Sequence, residues 1–162
     1  MMIKKDNISL AVEYFDRAYQ MHLNGNIENA IKEYQTSIYI YPTAKAHTFL
    51  GLAYSLQGNF EQAIKECKNA ISIEPAYSNP YNDIGIYLLK LEKDDEAVCW
   101  FEKALSMKDN DAAYLSLFNL GKIYEKKGDW LKALSYFNET ILVNPNYEPA
   151  QDEIIKLSTL LN

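Results

Sequence analysis

Residues 59–64 read Asn59-Phe60-Glu61-Gln62-Ala63-Ile64, and three related stretches begin at residues 26, 93 and 129. Their aligned alanines follow one another at spacings of 33, 34 and 36 residues: Ala30, Ala63, Ala97 and Ala133. A period of this length is typical of arrays in which each unit is a pair of helices. The stretch itself has the form of a turn that opens a helix, because a polar capping residue precedes the first apolar positions.

The sequence on either side of this turn indicates two helices in each unit. In the second unit, apolar residues recur at helical spacing before the turn, from Leu50 to Tyr54, and after it, from Ala63 to Ile71. The first helices end at glycines that tolerate a left-handed backbone, namely Gly25, Gly58 and Gly128. The residues that follow are predicted to cap the second helices: Asn26, Asn59 and Asp129. Prolines close three units because proline cannot continue a helix: Pro42, Pro75 and Pro145.

Small and large side chains occupy matching positions in the two helices of each unit. The first helices carry small residues at one aligned position: Ala18, Gly51, Gly85 and Gly121. The second helices carry larger residues in one common slot: Tyr34, Cys67, Phe101 and Phe137. We therefore expect the helix axes to approach closely at the small residues, with the larger side chains filling the space alongside.

The small and large positions, the period and the closing proline together resemble the tetratricopeptide repeat, over about residues 11–147. The resemblance implies an all-α fold in which antiparallel helix hairpins stack into a right-handed superhelix. It divides the chain into repeats at about 11–43, 44–77, 78–111 and 114–147, within a single domain over 1–162. Residues 148–161 resemble the capping helix that covers the last exposed core, although their end is more apolar than a cap requires.

Two repeats depart from the pattern. Arg17 stands in repeat one where the other repeats have an aliphatic residue, which suits an end repeat whose outer side faces water. Repeat three has Glu92-Lys93-Asp94 at its turn and Asp109 at its closing position, and it is followed by two extra residues, Ala112 and Ala113. The junction between repeats three and four is therefore predicted to be irregular.

Composition excludes several classes of partner. The formal charge of −6 at pH 7, without long blocks of like charge, disfavours nucleic acid. No apolar run reaches the length of a membrane span, and no signal peptide is evident, so a cytoplasmic location is expected. Cys67 and Cys99 lack metal-ligand spacing and are expected to be buried, reduced thiols.

Motifs for catalysis, cofactor binding and metal binding are absent from the sequence. His22 and His47 lie in first helices of successive repeats, and no carboxylate or thiol partner is evident nearby. The acidic run Asp94-Asp95-Glu96 is best explained by the start of a helix, where carboxylates favour the helix dipole. We therefore predict a protein that is not an enzyme and that needs neither cofactor nor metal.

The resemblance implies that first helices line the concave face of the superhelix, so a partner protein or peptide is expected to bind there. Aromatic groups lie toward one end of this face and amide or charged groups toward the other, where they could hold a peptide backbone. The candidate site residues are Phe15, Tyr19, His22, Lys45, Phe49, Asn82, Asp83, Asn119, Lys122 and Lys126. The plain alternative is that these residues only solvate the concave surface.

Co-chaperones of the same family hold the C-terminal carboxylate of heat-shock proteins with Lys, Asn and Arg at fixed groove positions. In one frame those positions carry Phe15, Tyr19, Phe49, Asn79 and Asp83, and in the next they carry Thr48, Leu52, Asp83, Leu115 and Asn119. Neither frame supplies the cations, so a carboxylate clamp is not expected.

Two other functions stay open at this point. A secretion-type chaperone is similar in size, although such chaperones typically carry three repeats. A self-assembling module is the other alternative, because end repeats expose core residues and weak homo-oligomers could form through the terminal helices. The residues for such pairing are Ile3, Ile8 and Leu10 at one end and Leu157, Leu160 and Leu161 at the other.

Overall fold

The structure, a computed structural model, describes residues 2–108, 110 and 112–161. Nine α-helices and no strands make up this part of the chain. In order they are α1 (Met2–Leu23), α2 (Ile27–Ile40), α3 (Ala44–Leu56), α4 (Phe60–Ile73), α5 (Asn79–Lys90), α6 (Asp94–Leu105), α7 (Ala113–Lys126), α8 (Trp130–Val143) and α9 (Glu148–Leu161).

Each helix packs on the helices before and after it in the chain, which builds a solenoid of antiparallel hairpins. α3 also contacts α5, and α5 contacts α7, so the odd-numbered helices approach one another across repeats. The even-numbered helices make their extensive contacts to odd-numbered neighbours. Odd-numbered helices therefore line the inner, concave face, and the predicted all-α superhelix is confirmed.

The turns within repeats share one geometry. Gly25, Gly58 and Gly128 have φ of +76°, +76° and +77°, as the sequence predicts for a left-handed helix end. Glu92 occupies the same position in repeat three with φ of +59°, so the turn is kept although glycine is missing. This conformation is unfavourable for a residue with a Cβ atom.

The predicted helix caps are only partly correct. The side chain of Asn59 accepts a hydrogen bond from the backbone of Gln62 at 3.4 Å, and that of Asp129 accepts one from Lys132 at 3.2 Å. Asn26 precedes α2, but its side chain makes no capping hydrogen bond. The backbone turn therefore forms in repeat one without this side-chain contribution.

The predicted pairs of small and large residues form the centre of each hairpin. Tyr34, Cys67, Phe101 and Phe137 are all fully buried. A Cβ atom added to Gly85 would lie 2.5 Å from Phe101 Cε1, so only glycine fits there. The equivalent atom on Gly51 would lie 3.0 Å from the Ala63 carbonyl oxygen and 3.3 Å from Cys67 Sγ, a close contact but a looser one than at Gly85.

Residues at the irregular junction between α6 and α7 are held by one amide. Asn110 donates from Nδ2 to the carbonyl oxygen of Ala104 at 2.7 Å, and its Oδ1 accepts from the backbone of Ala112 at 3.1 Å. The junction is therefore closed by a side chain in place of the proline of the other repeats. Asp109, which takes the closing position of repeat three in the sequence, lies outside the described residues.

The two ends of the solenoid differ. Arg17 forms an ion pair with Glu33 at 3.1 Å and stacks over the ring of Tyr14 at 4.1 Å, on the water-facing side of repeat one. At the other end, Leu157 of α9 packs with Ala133 and Phe137. α9 thus covers the core of repeat four, as predicted. None of the described helices combines the length and apolar character of a membrane-spanning segment.

Candidate functional site

The middle of the concave face contains a hollow of about 230 Å³, here called the central groove. Residues from α3, α5, α7 and the segments before α5 and α7 line it: Thr48, Phe49, Leu52, Tyr77, Asn79, Asn82, Asp83, Ala112 and Leu115. Most of this surface is apolar. Leu52 is 37% exposed within it and so offers apolar surface to the groove.

Asp83 supplies the one charged side chain among the residues that line the central groove. Its carboxylate is half-buried, and none of the ion pairs within the described part of the chain includes it. Burial raises the pKa of Asp83 to about 7, and a hydrogen bond with Asn82 opposes part of that rise. The groove therefore holds an acidic group with which no cation of the described residues pairs.

An aromatic cluster adjoins the central groove on the side of repeat one. Phe49 lies edge-on to Phe15 at 5.3 Å and to Tyr19 at 5.5 Å between ring centroids. The Lys45 ammonium lies 4.9 Å from the centre of the Phe15 ring. Phe49 belongs to both features, so the aromatic cluster and the central groove form one continuous surface.

Beyond this cluster, a second hollow of about 250 Å³ lies between α1, α2 and the start of α3. Phe15, Asp16 and Lys45 border it together with Ile8 and Val12. His22 lies further along α1, where its Nδ1 is 3.4 Å from the hydroxyl of Tyr34. Burial lowers the pKa of His22, which favours the neutral imidazole, and its ring packs against Tyr34.

The two candidate asparagines are engaged within the protein. Asn82 is only 4% exposed, and its Oδ1 accepts a hydrogen bond of 2.9 Å from Ser116, which joins α5 to α7. Asn119 donates from Nδ2 to the carbonyl oxygen of Leu115 at 2.9 Å. Contrary to the sequence-based expectation, neither amide is a fully available peptide ligand, because each partly satisfies the polar groups of the helices.

The two candidate lysines are also paired. Lys122 contacts Glu125 at 2.5 Å and Glu153 at 2.7 Å, and Lys156 contacts the same two carboxylates. This lysine network ties α7 to α9. Lys126 pairs with Asp94, so α7 is tied to the start of α6 as well. The sequence pattern predicted charged groups at this end of the face but not their partners, because neighbouring helices supply the carboxylates.

The acidic run lies in the first turn of α6, where carboxylates favour the helix dipole as predicted, and it also forms ion pairs. Asp94 pairs with Lys126, and Asp95 pairs with Lys127. Neither carboxylate caps the helix, since the residue at the cap position is Lys93, which makes no capping hydrogen bond. The run therefore joins repeats three and four, in the region where the closing proline is missing.

His47 has a carboxylate partner that sequence reasoning missed. Its Nδ1 lies 2.7 Å from Glu66 Oε2, and both side chains are nearly buried between α3 and α4. Burial pushes the pKa of Glu66 upward, but hydrogen bonds from His47, Asn69 and Gln62 outweigh it and leave the pKa lowered. The described residues contain no group of three or more metal-ligating side chains around this pair or elsewhere.

Sequence reasoning also missed part of the groove wall. Tyr77 and Ala112 come from the segments that precede α5 and α7, whereas the helical register considered only positions within helices. Asn79 donates to the hydroxyl of Tyr77 at 3.1 Å and so holds this ring at the rim. The available signal was the position of Tyr77 between Pro75 and the next helix.

Comparison with known families is consistent with this architecture. Residues 42–110 and 114–147 match models of the tetratricopeptide repeat. The chain is a tetratricopeptide repeat protein. It is 30% identical over 89 residues to the human protein O-mannosyl-transferase TMTC3, and 33% identical over 72 residues to the Arabidopsis thaliana chloroplastic tetratricopeptide repeat domain-containing protein PYG7. These matches cover 55% and 44% of the chain but only 9% and 23% of the relatives' own lengths.

Solved structures of low sequence identity share the tetratricopeptide repeat fold. PilF of Pseudomonas aeruginosa superposes on 95% of the chain with a TM-score of 0.84 at 19% identity, and the match covers 68% of PilF. PilW, a type IV pilus biogenesis factor, matches 93% of the chain and 70% of its own length, with a TM-score of 0.83 at 20% identity. MamA matches 91% of the chain and 80% of its own length, with a TM-score of 0.76 at 20% identity. Tetratricopeptide repeats are in general protein-interaction modules, and the chain has that architecture.

Proposed function

We propose that this tetratricopeptide repeat protein is an adaptor that binds a segment of another protein in the concave face. The observation that carries the proposal is the continuous surface formed by the central groove and the aromatic cluster. Covering its apolar walls with another apolar surface lowers the free energy. Concave, mostly apolar sites with a few placed polar groups are the usual form of a binding site.

The dimensions and charge of this surface favour a protein segment over other ligands. The central groove includes Phe49, which contacts Phe15 at the border of the second hollow, so the surface crosses several repeats and suits an extended chain. Its one charged lining group is a carboxylate, and the chain carries a formal charge of −6, so a nucleic acid backbone would be repelled. Binding rather than catalysis is therefore proposed as its activity.

Photo-cross-linking can test which face meets the partner. A photoreactive phenylalanine analogue would replace Tyr19 on the concave face in one variant and Tyr39 on α2 in a matched control. Tyr19 is 37% exposed and Tyr39 is 90% exposed, so exposure alone favours reaction at the control position. We expect a discrete cross-linked partner from Tyr19 and none from Tyr39 in cells of the source organism.

A second pair of variants makes the same comparison at leucines. Leu52 lies in the central groove, and Leu142 of α8 is exposed outside it. Leu52→Arg should remove the cross-link from Tyr19, whereas Leu142→Arg should leave it unchanged. Cross-linking that is equal from both faces, or that survives Leu52→Arg, would overturn the proposed groove.

Self-association is a second candidate, because exposed apolar residues lie on both terminal helices. Ile8 and Leu10 of α1 are exposed, as are Leu160 and Leu161 of α9. Leu157 is buried in the core and is not available for pairing, and the side chain of Ile3 lies outside the described residues. Light scattering across concentration distinguishes the possibilities, since a constant monomer mass would exclude self-association.

A cytoplasmic, reducing location is proposed on the two cysteines. Both thiols are free, and burial raises the pKa of Cys67, which keeps that thiol protonated and unreactive. Cys99 is exposed rather than buried as the sequence suggested, and its Sγ lies 3.6 Å from the Asp95 carbonyl oxygen. An exposed thiol is more compatible with a reducing compartment than with an oxidising one.

A further inference from the structure

We infer that the protein segment bound in the central groove presents a lysine or arginine side chain to Asp83, next to an apolar residue that packs on Phe49, Leu52 and Leu115. The inference rests on the proposed function and adds the chemistry of its ligand. It begins from the position of Asp83 on α5, between the two other helices that line the groove.

Among the residues that the structure describes, no cation pairs with Asp83. The cations of the concave face are already engaged, since Lys122 and Lys126 pair with other carboxylates and Lys45 lies over the Phe15 ring. A carboxylate can accept about four hydrogen bonds, and within the described ranges only Asn82 forms a side-chain hydrogen bond with this one. Acceptor capacity is therefore left over on a group that is partly withdrawn from water.

The titratable groups that interact with Asp83 do not supply a positive charge. They are Cys67 from α4, Tyr77 from the segment before α5, and Tyr87 from α5 itself. Burial raises the pKa of each of these groups, so all three are neutral when Asp83 ionises. A neutral wall around one carboxylate favours a cation from outside.

The apolar wall decides which kind of cation fits. A hydrated metal ion or a small amine gains nothing from Phe49, Leu52 and Leu115, whereas lysine and arginine carry aliphatic stems that cover such surface. The charged head then pairs with the carboxylate in a partly dry site, where a charge-assisted hydrogen bond is stronger than in water. An acidic segment or a free C-terminal carboxylate would instead be repelled, consistent with the missing carboxylate clamp.

A peptide selection tests this inference. Random 12-residue peptides displayed on phage would be selected in parallel against the full chain without substitution, against Asp83→Asn, and against Asp16→Asn. Asp16 is an exposed carboxylate on the same face and serves as the matched control. We expect lysine or arginine beside an apolar residue to be enriched by the full chain and by Asp16→Asn, but not by Asp83→Asn.

A double-mutant cycle then assigns the contact. One selected peptide and its analogue with norleucine in place of the cation would be titrated calorimetrically into the full chain and Asp83→Asn. The analogue should bind the unsubstituted protein at least about tenfold more weakly than the selected peptide does. The two peptides should differ by less than about twofold in their affinity for Asp83→Asn, because neither can form the contact there.

The outcomes separate the two proposals. The inference would be overturned, and the groove left intact, by peptides that depend on Leu52 but carry no preferred cation. The same conclusion would follow if Asp83→Asn selected cations as strongly as the unsubstituted protein does. A selection that yields no peptide dependent on Leu52 would overturn the proposed function, and the inference with it.

Discussion

At the scale of single residues, two positions adopt states that their chemistry disfavours. Glu92 has a left-handed backbone where the other three repeats have glycine, and Asp83 is a half-buried carboxylate that pairs with no cation in the described part of the chain. Surrounding structure holds both residues in place. The turn at Glu92 is fixed by hydrogen bonds from the backbone of Lys93 to Leu88 and from that of Glu92 to Leu89.

Replacing Glu92 with glycine should stabilise the protein. The left-handed backbone costs a residue with a Cβ atom about 1 kcal/mol, which glycine avoids. The melting temperature of Glu92→Gly should therefore rise by about 2–4 °C, measured by circular dichroism. Glu92→Ala removes the same carboxylate but keeps the Cβ atom, so it should give no such increase. Equal gains in both variants would point to charge rather than to backbone conformation.

Asp83 should make stability depend on pH in a direction opposite to that of most carboxylates. Its pKa is raised from 3.8 to about 7, so between these values the folded state binds more protons than the unfolded state. Its contribution is fully present below the unfolded pKa and is lost as pH rises through the folded pKa. Asp83→Asn removes this dependence because an amide does not ionise.

The free energy of unfolding of Asp83→Asn and of the unsubstituted protein would be measured by urea titration at pH 4 and pH 8. We expect a small difference at pH 4 and a stabilisation on the order of 2 kcal/mol at pH 8, since water that reaches the half-buried carboxylate screens part of the effect. Asp16→Asn, which replaces an exposed carboxylate on the same face, is the matched control. A stabilisation that is the same at both pH values would contradict the assigned cause.

At the scale of helices, close packing within each hairpin depends on the pairing of a small residue with a large one. α5 approaches α6 so closely at Gly85 that the Phe101 ring occupies the space of a side chain. α3 approaches α4 at Gly51 beside the smaller Cys67. These two hairpins therefore keep glycine in the first helix while the side chain that faces it changes from Phe101 to Cys67.

Gly85→Ala should destabilise the protein although alanine is the better helix former. Helix propensity alone favours alanine by about 1 kcal/mol. The new Cβ atom would lie 2.5 Å from Phe101 Cε1, and overpacking of this kind costs about 1–3 kcal/mol. Urea denaturation should show a net loss for Gly85→Ala and a smaller one for Gly51→Ala. A net gain for Gly85→Ala would show that the helices can separate without cost.

At the scale of the whole molecule, the stacked repeats form one array whose ends must be covered. Stability in such an array is approximately the sum of repeat and interface terms, so an uncovered end exposes core residues. α9 covers repeat four through Leu157, and the lysine network joins the same helix to α7. Arg17 presents a charged group to water at the opposite end.

Truncating Leu157 should weaken the cap far more than truncating its neighbour. Leu157 is 1% exposed and Ile155 is 66% exposed on the same helix, so the two differ mainly in burial. Leu157→Ala should lower the free energy of unfolding by about 2–4 kcal/mol, while Ile155→Ala should change it by less than about 0.5 kcal/mol. Similar losses of stability in the two variants would contradict the packing of α9 on repeat four through Leu157.

The candidate site was less predictable from the sequence than the fold, and the difference has a physical cause. Gly58 and Pro75 act on their own backbone, so a local pattern suffices to predict the turns. Lys122 could be assigned to a helix face in the same way, but its pairing with Glu153 joins residues of separate helices. The position of a carboxylate on the next helix depends on how those helices cross, which no local pattern records.

Local patterns in the sequence predict the repeat, the helix pairs, the glycine turns and the small and large positions, because each depends on nearby residues of the chain. Only the packing of the helices shows that Asn82 bonds Ser116, that Lys122 and Lys126 form ion pairs, and that no cation of the described residues pairs with Asp83. Packing sets the distances between side chains of different repeats, and these distances decide which polar groups satisfy one another and which remain for a partner.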